Sequence, residues 1–219
     1  MQKNKLGLSR KIALETPDDV LERDLINFKQ QTFDLGATMA EIIDAAWVDV
    51  DERVPLKCAI PMCPYYNKNL SCPPNGPSLD LVRKAFSRYS KAILFAFDVI
   101  PPEEFSDRSL EREAVKSWAR KSMETAARLE TIAMGNGYYF AMGLSQVSCM
   151  KALCGLPKCL VLDGDKCPYP LQSRPSMESM GIDVYRLVTK VGWDIYPIYR
   201  SVDPKAVPRA LSVGIVFIC

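Results

Sequence analysis

Four cysteines, Cys149, Cys154, Cys159 and Cys167, fall within nineteen residues, separated by four, four and seven positions. Gly155, Pro157, Gly164 and Pro168 lie among them and interrupt any regular helix or strand. Such a stretch cannot assemble an apolar core of its own. It can fold around something that thiolates bind, because metal-binding free energy then replaces the burial that the segment lacks. A smaller group lies upstream, where Cys58, Cys63 and Cys72 are spaced by four and eight positions and followed by Pro73-Pro74.

A chain of 219 residues is long enough for a substantial core, so disulfides are not needed to hold it together. Residues 1–8 lead into charge rather than into an apolar run, which predicts no signal peptide, and the longest apolar stretch, 211–219, is too short to span a bilayer. The expected location is the cytoplasm, where eight cysteines point to metal ligands or redox groups rather than disulfides. Twenty-eight basic against twenty-six acidic residues give no strong field, so neither nucleic acid nor an anionic membrane is an expected partner. Histidine is absent, which removes Ser-His-Asp and Cys-His catalysis and every His-ligated metal site. Any metal is then held mainly by sulfur.

Spacing leaves three readings of the thiols. Four-residue gaps are within the range structural zinc tolerates, and they also occur in plant-type ferredoxins. No Cys-x-x-Cys pair exists in the chain, so neither signature is matched in full. Cys149, Cys154, Cys159 and Cys167 suffice for one closed site, and the proline after Cys167 is similar to the Cys-Pro that ends bacterial ferredoxin motifs. Cys58, Cys63 and Cys72 make three. Three thiolates leave a zinc site incomplete, whereas a four-iron cluster on three cysteines leaves one iron open to substrate, water or another residue. Cys219 is either an eighth ligand or a buried apolar thiol on a terminal strand. Lys57, Lys68, Lys151, Lys158, Lys166 and Arg174 flank the cysteines and suit thiolate, although loop lysines are often merely solvated. The third reading has no metal and a single cysteine activated by a nearby lysine.

Along the chain, Thr16 is expected to cap a helix reaching residue 35, with Val20, Leu21, Leu25, Phe28 and Thr32 on one face and Gly36 as its stop. Alternation over 47–54 predicts a strand leading into the first cysteine loop. Ser78 should cap a short helix to about residue 89, followed by a buried central strand over 91–100. A long helix is expected over 107–135, with Leu110, Ala114, Trp118, Ser122, Thr125, Leu129 and Ile132 or Ala133 on its apolar face. A strand over 138–144, a helix over 175–191 and closing strands over 193–199 and 211–218 complete the reading. The Arg174-Pro-Ser-Met-Glu178 stretch is a functional loop or simply a helix entrance with an acid in its first turn. These elements predict one α+β or α/β sandwich domain over 1–219, with a central mixed sheet flanked by helices and irregular cysteine loops at 58–77 and 149–170.

Lys57-Cys58-x4-Cys63-Pro64-x-Tyr66-x5-Cys72-Pro73-Pro74, the four-cysteine group, and Arg174-Pro-Ser-Met-Glu-Ser-Met-Gly-Ile-Asp-Val184 together resemble a family described as predicted metal-binding proteins. The resemblance covers about residues 50–191. It implies a cytoplasmic protein, common in anaerobes, that carries metal on its cysteines, with iron-sulfur the usual presumption.

The expectation is an iron-sulfur redox protein. Cys149, Cys154, Cys159 and Cys167 would hold a four-iron cluster, and Cys58, Cys63 and Cys72 a second or site-differentiated one. Electron transfer, or small-molecule chemistry at an open iron, would proceed with a redox partner protein or enzyme subunit; self-association is left open. The alternative is a zinc-stapled structural or interaction module without redox activity.

Overall fold

A computed structural model of the protein describes residues 9–107, 113–198 and 203–219. Its frame is a four-stranded sheet in the order β1-β2-β4-β3, made of β1 (Met39–Asp44), β2 (Lys91–Val99), β3 (Met142–Leu144) and β4 (Ala210–Phe217). Neighbouring strands pair antiparallel throughout. The fold is therefore α+β, and the expected mixed sheet is corrected to an antiparallel one. The single parallel element among the described residues is an isolated bridge joining Ser145 to Ser176.

The apolar run of β2 is explained by burial on both faces. Ala92, Leu94 and Ala96 point into one core, with Val82 and Phe86 of α3 (Leu79–Phe86) and Leu187 and Val188 of α6 (Val184–Lys190). Ile93, Phe95 and Phe97 point into the other, against Leu25 and Phe28 of α1 (Asp18–Asp34) and Ala126, Leu129 and Ala133 of α5 (Glu113–Gly135). Each large side chain so buried is worth about 1.5–3 kcal/mol relative to exposure. Gly214 of β4 lies directly across from Phe95. A methyl group there would run into the Phe95 ring, so the glycine makes room for the largest side chain at the centre of the sheet.

Local signals account for most helix ends. Ser78 Oγ accepts from Leu81 N at 3.3 Å and starts α3 as expected. Gly36, with φ of 92°, stops α1, whose N-cap is Pro17 rather than Thr16 and carries no side-chain cap. The long helix begins later than expected, at Glu113, after the short α4 (Glu103–Ser106); Leu110 lies outside the described residues. On α5, Ser122, Thr125, Leu129 and Ala133 are buried as the periodicity requires.

Four further expectations are corrected. Residues 47–54 do not form a strand: β1 lies upstream at Met39–Asp44, and Arg53 already opens α2 (Arg53–Ala59). The expected helix over 175–191 is split by Gly181, whose φ of 78° ends a 3-10 turn, Glu178–Met180, before Asp183 caps α6. Over 193–198 there is no strand, and residue 199 lies outside the described residues. The strand expected over 138–144 shrinks to β3. No described helix is long and apolar enough to cross a membrane.

Candidate metal centre

The first cysteine group leaves the sheet after β1. Cys58 is carried on α2, and Cys63 N bonds back to Cys58 O at 2.8 Å, curling the loop so that both thiols face the same region. Cys72 is the most deeply buried of the eight cysteines, at 9% exposure. Burial pushes the Cys58 thiol above its ordinary value, and the negative charges of Cys63 and Glu178 add to the effect. Burial also drives Cys72 up to about 12, opposed by a hydrogen bond with Ser148 and reinforced by the charges of Cys149, Cys63 and Cys58. Ionising one of these thiols therefore opposes ionising the rest. A bound cation reverses that sign and deprotonates the thiols it coordinates.

The second group follows β3 and rests on α5. Cys149 precedes a π-helical turn, Met150–Cys154, ended by Gly155 at φ of 63°. Arg120 of α5 donates from Nε to Ala152 O at 3.1 Å, holding carbonyls that the turn leaves unpaired. Ala152 and Leu153 pack on Ala119 and Met123, with Cys149 at the edge of that cluster. Cys159 precedes a 3-10 turn, Leu160–Asp163, closed by Gly164 at φ of 89°. Cys149, Cys154, Cys159 and Cys167 all line one cavity of about 180 Å³, walled otherwise by apolar groups such as Leu153, Leu160 and Pro168. Tyr169 N donates to Cys167 Sγ at 3.4 Å.

The two groups meet. Asn69, 1% exposed, donates from Nδ2 to Ser148 Oγ at 2.7 Å and to Cys149 Sγ at 3.3 Å, while its Oδ1 accepts from Ser71 N at 2.8 Å. Cys159 N donates to Lys68 O at 2.7 Å, a second tie between the segments. Cys149 thus faces both ways, lining the second cavity and acting electrostatically on Cys72. Cys219 is elsewhere, packed at the edge of the α1–α5 core and 3.4 Å from Ser90 Oγ.

Of the flanking cations, Arg174 is taken up by Glu130 of α5 through two bonds of 2.7 and 2.8 Å, and Lys158 by Asp163. Arg174 thus positions the end of the cysteine segment rather than facing its sulfurs. All eight cysteines are free thiols. Among the described residues, no three Cys, Asp or Glu side chains converge within reach of a single ion. The thiols surround space instead of meeting at a point.

Asn69 and Ser148 carry no signal in the sequence that marks them as the join, since their spacing matches no motif. An all-sulfur donor set with apolar neighbours and N–H groups at two of its sulfurs is of the chemical kind that thiophilic metals take. A family model described as Predicted metal-binding protein (DUF2284) matches residues 41–217, and the chain belongs to that family. Among curated proteins and solved structures, none matches the chain.

Proposed function

We propose that the protein is an iron-sulfur protein. Cys149, Cys154, Cys159 and Cys167 hold one four-iron cluster in the cavity they line, and Cys58, Cys63 and Cys72 hold a second whose remaining iron is open to a ligand other than cysteine. The observation that carries this reading is the cavity of about 180 Å³ with four free thiols on its wall, beside three more across Asn69. A single zinc ion draws its four ligands to about 2.0–2.3 Å, whereas a multi-atom cluster keeps its thiolates apart around a volume. The donor chemistry fits too, because N–H groups of Asn69 and Tyr169 reach Cys149 and Cys167 sulfurs, the kind of bond that raises a cluster's reduction potential.

When bound, such clusters supply one-electron chemistry. Of the chain's own residues, the cysteines bind, Asn69 and Arg120 orient the segments that carry them, and Leu153, Leu160 and Pro168 give the cavity apolar walls. Two adjacent sites suit electron transfer to or from a partner enzyme, and an open iron suits small-molecule chemistry.

The test is iron and sulfide analysis with a visible spectrum on anaerobically purified protein, repeated on Cys63→Ser and Cys159→Ser. Iron with broad visible absorption, cut by about half in each variant, is the expected result. Stoichiometric zinc in a colourless folded protein would overturn it and leave a stapled structural module.

A further inference from the structure

One cleft in the described part of the molecule is lined by no cysteine. It has a volume of about 710 Å³ and runs from Pro64 and Tyr65, just past Cys63, to the last stretch before β4 and to β4 itself. That volume is in the range of small-molecule sites. Its walls include Ile195, Tyr185 and Tyr196, so an apolar or aromatic body has surface to lie on. Lys151 and Asp107 line it as well, one charge of each sign, which leaves its preference to the remaining polar groups.

Those groups are unusual. Gln146 Oε1 and Glu178 Oε2 are both shielded from solvent and have no hydrogen-bond partner, although Ser176 bonds the Glu178 carboxyl, and both residues line this cleft. Ser145 N donates to Pro175 O at 3.0 Å and Met177 N to Ser145 O at 2.8 Å, so the parallel bridge brings the segment that carries Gln146 against the one that carries Glu178. Next to Gln146, Val147 has φ of 32°, a conformation that costs a β-branched residue energy and that collects at ligand sites. A buried acceptor without a partner is costly, and two such atoms on residues of one cleft suit a ligand that brings its own donors.

We infer that this cleft binds a small organic amine, its N–H donors directed to Gln146 Oε1 and Glu178 Oε2 and its apolar body laid against Tyr185, Tyr196 and Ile195. An ammonium head supplies several donors at once, and the tyrosine faces favour a cation beside them. The site lies within electrostatic reach of Cys58 through Glu178. The inference goes beyond the metal reading and does not depend on which metal the cysteines hold.

The test is calorimetric titration of the intact metal-loaded protein with 2-phenylethylamine and with phenylacetate, which match in size but differ in head group. The amine should bind at least tenfold more tightly than the acid. Gln146→Leu and Glu178→Gln should each weaken the amine by roughly tenfold while leaving the acid unchanged. Equal binding of the two probes by the unaltered protein, no binding of the amine, or variants that bind it as tightly as the parent would overturn the inference. The comparison of probes on the unaltered protein stands even if a variant does not fold. Iron content is read on the same samples: amine binding without iron would remove the cluster reading alone, and iron without amine binding would remove this one alone.

Discussion

The side-chain amide of Asn69 donates to the sulfur of Cys149 at 3.3 Å, across 80 positions of sequence, and the same nitrogen reaches Ser148 Oγ at 2.7 Å. Replacing it removes a fully buried group that serves both cysteine segments. Asn69→Leu should lower stability by about 1–3 kcal/mol, the cost of stranding buried partners. It should also shift the visible spectrum of the loaded protein, since Cys149 loses its N–H donor. Urea denaturation and absorption measured together check this; a stability change with an unaltered spectrum would separate the amide from the metal centre.

Arg174 and Glu130 form a two-bonded ion pair with only 13% and 15% of their side chains exposed. Glu130 Oε2 also accepts Gly143 N at 2.6 Å, tying β3 to α5. Arg174→Met strands a buried carboxylate and should cost about 3–5 kcal/mol. Adding Glu130→Gln removes that charge while keeping an acceptor for Gly143, so the double variant should recover part of the loss. Equilibrium unfolding of the parent and three variants gives the coupling, and a loss below about 1 kcal/mol for Arg174→Met would contradict the pair's structural role.

Asp24 is buried between Arg10 and Tyr138, whose Oη donates to it at 2.9 Å. Burial alone would raise its pKa, but the hydrogen bonds from Arg10 and Tyr138 outweigh that and hold it below the ordinary value. A carboxyl lowered on folding adds stability above its unfolded value, about 3.9, and gives it up as the pH falls through the depressed folded value. Stability measured from pH 6 downward should therefore drop less steeply below about pH 4 in Asp24→Asn than in the parent. The parent should remain the more stable of the two at pH 6.

Cys219 packs at the edge of the α1–α5 core beside Ser90, on the far side of the sheet's central strands from α3 and α6. Cys219→Ala should leave metal content and spectrum unchanged, with at most a small fall in melting temperature. Loss of metal in this variant would make it an eighth ligand.

Much of the frame was legible because its signals are local. The run in β2, the apolar end of β4 and the stripe on α5 each report burial within a single element. β1 was not, because Met39–Asp44 mixes Glu41 and Asp44 with its apolar residues, while the stronger alternation at 47–54 belongs to a bridge at Val50 and the start of α2. The cysteine groups declared themselves by composition, yet their adjacency depends on Asn69, Ser148 and the Lys68–Cys159 bond, residues common in any loop. The cleft was invisible for the same reason. Gln146 and Glu178 reach one cleft wall on segments that the Ser145–Ser176 bridge brings together.

β1 and β3 are the two outer strands of the sheet, and each cysteine segment is the chain continuing from one of them. With one cofactor seated in each segment, the Asn69–Cys149 and Cys159–Lys68 bonds fasten one margin of the sheet to the other over a loop of some 80 residues. Oxidative loss of the cofactors would then loosen both margins together and expose unpaired strand edges to other chains. The lifetime of the protein in solution would follow the occupancy of its metal.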